Sequence, residues 1–161
     1  MQLRVIESKD PHVIAKLNET VQKLHKERYP EKFKEYDYNL ILTAMEEIKG
    51  KDDWFSYIAY DGEKPVGYIL FYIREYLENP FRYSYKGIHI DQLCITDEYQ
   101  GCGIGTALLK IAENRAKEIG ASQIELTFWD KNIEAKEFYM KKGFAEGTHF
   151  VIKNVSQTPS A

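Results

Sequence analysis

The chain has 161 residues, 43% of them hydrophobic and 29% charged, which are ordinary proportions for a globular protein long enough to bury one substantial core. A formal charge of −3 without a basic stripe argues against a nucleic-acid footprint, and no run approaches the ~20 apolar residues that span a bilayer. Two cysteines, Cys94 and Cys102, with no CxxC spacing and no histidine cluster nearby, point to neither a disulfide framework nor a metal site; with no apolar signal core in MQLRVIESKD, the cytoplasm is the expected compartment.

Leu3 and Val5 alternate with Arg4 as a short edge strand, and Asp10-Pro11 then supplies an N-cap and a first helical residue for a helix to about Tyr29. After Pro30, Asn39–Lys49 has helical periodicity, with Leu42, Met45 and Ile48 inward and Gly50 at its end. Trp54–Tyr60 and Pro65–Tyr76 read as strands joined by a hairpin turn at Asp61-Gly62-Glu63-Lys64, with Tyr57, Tyr60, Tyr68, Tyr72 and Tyr76 packing the sheet faces. A polar, aromatic connection, Asn79–Lys86, delays the next strand, Gly87–Ile95. The helix from Gly103 sets Ile104, Ala107, Leu108, Ile111 and Ala112 on one face and stops at Gly120. Ser122–Phe128 is a further strand, Asn132–Lys142 a short helix closed by Gly143, and Phe144–Lys153 a last strand or hairpin. The expectation is one α/β (α+β) domain over residues 1–155 with a mobile tail at 156–161.

Between the strand ending at Ile95 and the helix lies Tyr99–Thr106, YQGCGIGT. A glycine-dense turn that opens a helix aims several backbone N–H groups at one point, where the helix dipole adds positive charge, and so offers a seat for a pyrophosphate. A Walker loop would need a lysine, whereas Gly105 is followed by Thr106 and Ala107. A dinucleotide fingerprint, and with it an NAD-dependent oxidoreductase, is a nearer rival, since Gly101-Cys102-Gly103 fits its first half and Glu125 lies at about the right distance. Against it, Thr106 stands in the third glycine's place and Glu125 falls inside its strand.

The pattern that fits is Gln100-x-x-Gly103-x-Gly105, preceded by Ile90-Asp91-Gln92-Leu93-Cys94-Ile95 and followed by Trp129-Asp130-Lys131-Asn132, Ala135 and Phe138-Tyr139-Met140-Lys141-Lys142-Gly143-Phe144. In this order and spacing, over Gly87–Phe144, the chain resembles the GNAT superfamily of acyl-CoA N-acyltransferases. The resemblance implies a mixed, mostly antiparallel central sheet flanked by helices, with a strand pair that splays at the cofactor site. It implies acetyl-CoA as cosubstrate, no metal, and transfer of an acetyl group to a primary amine on a small molecule or peptide by direct attack in a ternary complex.

Carried onto this chain, the resemblance gives the pyrophosphate to the backbone amides of Gly101, Cys102, Gly103, Ile104, Gly105 and Thr106. Gln100 replaces the arginine often found there; it can orient the turn but brings no charge. Leu93, Cys94 and Ile95 occupy the strand whose freed backbone pairs with the pantetheine arm and supplies an oxyanion donor. Cys94 itself reads as a small core residue, having no histidine in its motif. Asn132 would cap its helix and contact the cofactor, and Tyr139, seven residues on and on the same face, matches the tyrosine that protonates the departing thiolate. Asp91 and His89, which alternation places on one face with Leu93, are the candidate bases. An acyl-CoA sensor with little turnover is the alternative of a different class. Exposed edge strands leave room for a homodimer.

Overall fold

Two aspartates start the first two helices. Asp10 accepts from the His12 amide at 2.9 Å, with Pro11 preset for the first turn, and α1 runs Pro11–Arg28. Asp37 accepts from the Leu40 amide at 3.1 Å and opens α2, Tyr38–Lys49. The computed structural model describes residues 1–155, and the tail expected at 156–161 lies outside the described residues.

The described chain forms two compact units, the first being Met1–Thr127. Five strands build it, β1 (Leu3–Glu7), β2 (Trp54–Asp61), β3 (Lys64–Tyr76), β4 (Tyr85–Ile95) and β5 (Gln123–Leu126), lying in one sheet in chain order. The first three pairings are antiparallel, and β5 joins β4 in parallel after the crossover helix α3, Ile104–Glu118. Only the two residues Gly62-Glu63 link β2 to β3, and Gly62 takes the positive φ of +58° that this turn needs.

Pleating sends alternate side chains to opposite faces. On one face Ile58, Tyr68, Leu70 and Cys94 pack with Ile14 and Leu17 of α1 and Met45 of α2. Phe55, Tyr57 and Phe71 stack on the other, where Arg115 of α3 lies over the Phe55 ring. The strongly apolar β3, which keeps Val66 to Phe71 buried, is the sheet's central strand and is covered on both faces. Gly67 is required there, because a Cβ would sit 2.7 Å from both the Cys94 carbonyl oxygen and the Ile95 Cδ1.

The second unit begins at Phe128 and contains α4, Ile133–Lys141. The chain leaves this helix through Gly143, whose φ of +88° allows the Gly143 and Phe144 amides to return to the Met140 and Tyr139 carbonyls. The strand or hairpin expected over Phe144–Lys153 is not formed. The segment has no ladder partner among the described residues, and Phe150 and Val151 stand almost fully exposed.

Candidate active site

The site is built on a change of phase within β4. Pairing with β3 runs His89 to Tyr72 and Ile90 to Phe71, then skips Asp91 and resumes at Gln92 with Leu70. Asp91 is thus the extra residue of a β-bulge, which reverses the alternation of everything beyond it. His89 shares the α1–α2 face with Gln92 and Cys94, whereas Leu93, opposite Ile69, points to the α3 face. The common face expected for His89, Asp91 and Leu93 is therefore corrected: strict alternation cannot survive an inserted residue.

The main chain changes phase at the same point. Below the bulge, the Ser122 amide donates to the Lys86 carbonyl at 2.9 Å, so the even-numbered peptides of β4 face β5. Above it, the Thr96 amide donates to Val66 at 3.0 Å, which makes Cys94 and Gln92 the residues bonded to β3 and turns the N–H and C=O of Leu93 and Ile95 away from it. On that side β5 pairs only as far as Ile90 with Leu126. No strand among the described residues takes up the main chain of Leu93 or Ile95 on that side, so the sheet is splayed here with an open edge. The Ile95 carbonyl is taken at 3.2 Å by the Gln100 side-chain amide, which also donates to Asp97 Oδ1 at 3.1 Å. Gln100 thereby ties the end of the open edge to the turn that follows it.

That turn leads from a single 3-10 turn, Asp97–Tyr99, into α3. Gly101 and Gly103 take φ of +75° and +83°, a region closed to most side chains, and space is clear for at least 4 Å around both Cβ positions. Gly103 caps α3 without any side-chain hydrogen bond. The first helical bond beyond it is from Ala107 to the Gly103 carbonyl, so the amides of Gly101, Gly103, Ile104, Gly105 and Thr106 have no acceptor among the described residues. The Cys102 amide, expected in the same set, is instead directed at the Tyr99 carbonyl at 3.4 Å. Ile104 and Leu108 are buried and hold the start of α3 in the core.

Polar side chains gather on the α1–α2 face around the bulge. Asp91 is exposed, yet desolvation by its surroundings raises its carboxyl above the usual aspartate range, opposed by the Gln92 carboxamide and by His89. Gln92 is fixed in turn: its Oε1 accepts from Tyr68 Oη at 2.5 Å and from Asn18 Nδ2 at 3.2 Å, and Asn18 Nδ2 also reaches Tyr68 Oη at 2.9 Å. Both Asn18 and Tyr68 are buried, and Asn18 Oδ1 has no hydrogen-bond partner among the described residues. His89 stacks on Tyr72, which stacks on Trp54, and its Nδ1 faces Glu125 Oε1 at 3.4 Å. Cys94, its thiol pushed up to about 12 by burial and directed at the Leu17 carbonyl, is a core residue. Sequence reasoning missed Asn18, Tyr68 and Gln92, and weighed Glu125 only as a dinucleotide ligand. Their signal was the polar letter at an inward position of α1 and β4, which needs the register to be seen.

In the second unit Asn132 caps α4, its Oδ1 accepting from the Ala135 amide at 3.2 Å. Tyr139 is buried, edge-on to Phe138 and Phe144 at 5.2 and 5.4 Å, and burial pushes its hydroxyl up to about 12. The surface hollows beside Lys9, lined by Met45, Ile48 and Trp54 or by Asp10, His12 and Glu46, contain none of the candidate residues. No helix among the described residues is long and apolar enough to cross a membrane, and no three His, Cys, Asp or Glu side chains among them gather as a metal ion would require.

A splayed strand followed by a helix whose first amides are open is the arrangement that the resemblance implied; comparison with known proteins bears on the family. The model of the acetyltransferase (GNAT) family matches residues 18–144. The chain belongs to the GNAT acetyltransferase family. Among curated GNAT relatives, thialysine N-epsilon-acetyltransferase of Bos taurus is 35% identical over 92 residues, covering 52% of this chain and 49% of that protein. An uncharacterised N-acetyltransferase of Lactobacillus delbrueckii subsp. lactis is 27% identical over 114 residues, 70% of this chain and 64% of its own length. The chain thus spans about half to two thirds of these two relatives. Among solved structures, a tetramutant protein of Bacillus halodurans superposes with a TM-score of 0.87 at 20% identity, covering 96% of this chain and all of that one. AAC(6')-Iy, in complex with the bisubstrate analogue CoA-S-monomethyl-acetylneamine, gives 0.69 at 15% identity over 98% and 100% of the two chains. At these identities the superpositions speak for the GNAT fold alone.

Proposed function

We propose that the protein transfers an acetyl group from acetyl-CoA to a primary amine, by direct attack of the amine on the thioester in a ternary complex. One observation carries this reading: an open strand edge at Leu93 and Ile95 runs directly into a glycine turn with five unpartnered amides. A pyrophosphate needs N–H donors and a clear approach, and the reading is supported by the open amides of Gly101 and Gly103–Thr106 and by the clear space at Gly101 and Gly103. An extended pantetheine arm needs alternating free N–H and C=O groups, which Leu93 offers. Asn132 is assigned a contact with the same cofactor.

Acetyl-CoA brings an acyl group activated as a thioester, and the remaining chemistry is assigned to this chain. The amine nitrogen forms a bond to the carbonyl carbon, and the charge that develops on the carbonyl oxygen is met by the Leu93 amide. Most amines carry a proton at neutral pH, and Asp91, at the bulge two residues from Leu93, accepts it. As the C–S bond breaks, the departing thiolate takes a proton from Tyr139, whose raised pKa keeps it protonated until then; the second proton that the nitrogen sheds as the amide forms leaves to solvent, from which Tyr139 regains the proton it gave. The names of relatives and neighbours, acting on thialysine or bound to an acetylneamine analogue, support an amine as the acceptor class.

The test is thiol release from acetyl-CoA across a panel of diamines, amino acids, peptides and aminosugars, with the acetylated product identified by mass. A thiol reagent must be blanked against the exposed Cys102. Turnover of at least one amine is expected. Tight acetyl-CoA binding, seen as thermal stabilisation, with turnover of none would make the protein an acyl-CoA sensor instead.

A further inference from the structure

Glu125 receives more hydrogen bonds than the fold requires of it. Its Oε1 accepts from Arg74 Nη1 at 3.2 Å and Tyr76 Oη at 3.1 Å and faces His89 Nδ1 at 3.4 Å, while its Oε2 accepts from Gln123 Nε2 at 2.8 Å and Tyr85 Oη at 3.4 Å. Burial alone would raise this carboxyl, but the bonds from Gln123, Tyr76 and His89 and the charge of Arg74 outweigh it and hold it below the usual glutamate range. An ionised carboxylate only accepts. The nitrogen facing it must therefore carry a proton, and in a neutral imidazole that leaves Nε2 with the free lone pair. Tyr72, stacked at 5.0 Å, fixes the plane of the ring.

This arrangement sits on one line across the sheet. Trp54, Tyr72, His89 and Glu125 are successive register partners on β2, β3, β4 and β5, so the position of His89 is set from both sides. Asp91 is next along β4, and its carboxyl responds to His89. At about 3.3 Å per residue His89 lies some 13 Å from Leu93, too far to touch an amine at the oxyanion donor, whereas Asp91 lies half-way. A base that has accepted the amine proton must release it before the next turnover, and the neighbour that can take it is His89.

We propose that Glu125 is a positioning residue for His89: by binding Nδ1–H it presents Nε2 as the outer station of a proton path that begins at Asp91. The inference rests on the reading of Asp91 as the base. The amine proton passes to the Asp91 carboxylate and from the resulting acid to His89 Nε2. The imidazolium then returns it to water from the Nε2 side. The charged and titratable groups around the ring are Tyr72, stacked on it, Glu125 at its Nδ1 with Arg74, Tyr76 and Tyr85 on the same carboxylate, and Asp91, which interacts with it electrostatically. Of these Arg74 shares Oε1 with the ring.

The experiment combines nitrogen-15 NMR of histidine-labelled protein with steady-state kinetics on the best amine of the panel, for wild type, Glu125→Gln, Glu125→Ala and His89→Gln. The expected result is an Nδ1–H tautomer for His89 in the wild type, replaced by a tautomer mixture in Glu125→Ala. With it, kcat should fall about tenfold in Glu125→Gln, KM for acetyl-CoA should hold, and the acidic limb of the kcat profile should move. His89→Gln should lose a similar factor, and combining it with Glu125→Gln should add little, since the two act through one station. An Nε2–H tautomer in the wild type, or Glu125→Gln with unchanged kcat and pH profile, would overturn the proposal. A wild type that turns over no amine would overturn the acetyltransferase reading and the proton path together. The two failures are therefore distinguishable.

Discussion

The two halves of β4 are one continuous strand with opposite fates. From Tyr85 to Ile90 the strand is bonded to β3 on one side and, from Gly87 on, to β5 on the other, so its main chain is consumed by the sheet. From Gln92 to Ile95 it keeps β3 and loses β5, so the peptides of Leu93 and Ile95 face outward. Asp91 divides them, and one inserted residue changes both which side chains face α1 and which amides face the open edge. On the proposed reading, binding capacity here comes from what a strand leaves unpaired rather than from any special side chain.

Proline is the sharpest way to break this comparison. It removes an N–H, and it is tolerated in a strand only where that N–H has no ladder partner. Leu93→Pro should stay folded by circular dichroism and lose about 10²- to 10³-fold in kcat, the usual cost of deleting an oxyanion donor, whereas Cys94→Pro next to it should not fold. Equal behaviour of the two variants would show that the phase change does not govern function.

Tyr139→Phe tests the second unit. The ring keeps its contacts with Phe138 and Phe144, so the melting temperature should hold while kcat falls about 10²-fold with little change in KM. Because burial raises the hydroxyl to about 12, the group remains protonated as pH rises through the normal tyrosine value of 10, and the wild-type kcat should show no alkaline loss below about pH 11.

Gly103→Ala sharpens the contrast between the open amides and the paired ones. At φ +83° an alanine costs about 1 kcal/mol, which should lower the melting temperature by a few degrees and weaken acetyl-CoA binding roughly fivefold, measured by calorimetry. The smallest effect is expected from Gln100→Arg, which adds a charge to a turn that relies on backbone dipoles. Acetyl-CoA should bind about threefold tighter at low salt, with the gain fading as salt rises.

Much of this was legible in the letters. Asp10-Pro11 announced α1, the Gly62-Glu63 turn fixed the β2–β3 hairpin, and the glycines at 101 and 103 marked a turn that only positive φ can make. Three features were hidden for physical reasons. A bulge leaves no mark in a hydrophobic pattern, so the face of His89 was assigned by a parity that Asp91 reverses. Glu125 gained its partners through register, which joins Arg74, Tyr76, Tyr85 and His89 from positions far apart in sequence. Phe144–Lys153 carries β-prone residues, but a strand is defined by its neighbour, and none is present in the described chain.

The alternation of paired and open peptides beyond the bulge also sets the pace at which protons leave the main chain for water. Cys94, bonded to β3 and buried, should exchange its amide hydrogen only when the sheet opens, while Leu93 and Ile95 on either side of it exchange within the folded state. A slow amide between two fast ones is a fingerprint of this edge. Slowing of the two fast amides on addition of acetyl-CoA would record its occupation residue by residue, with no need to know the acceptor.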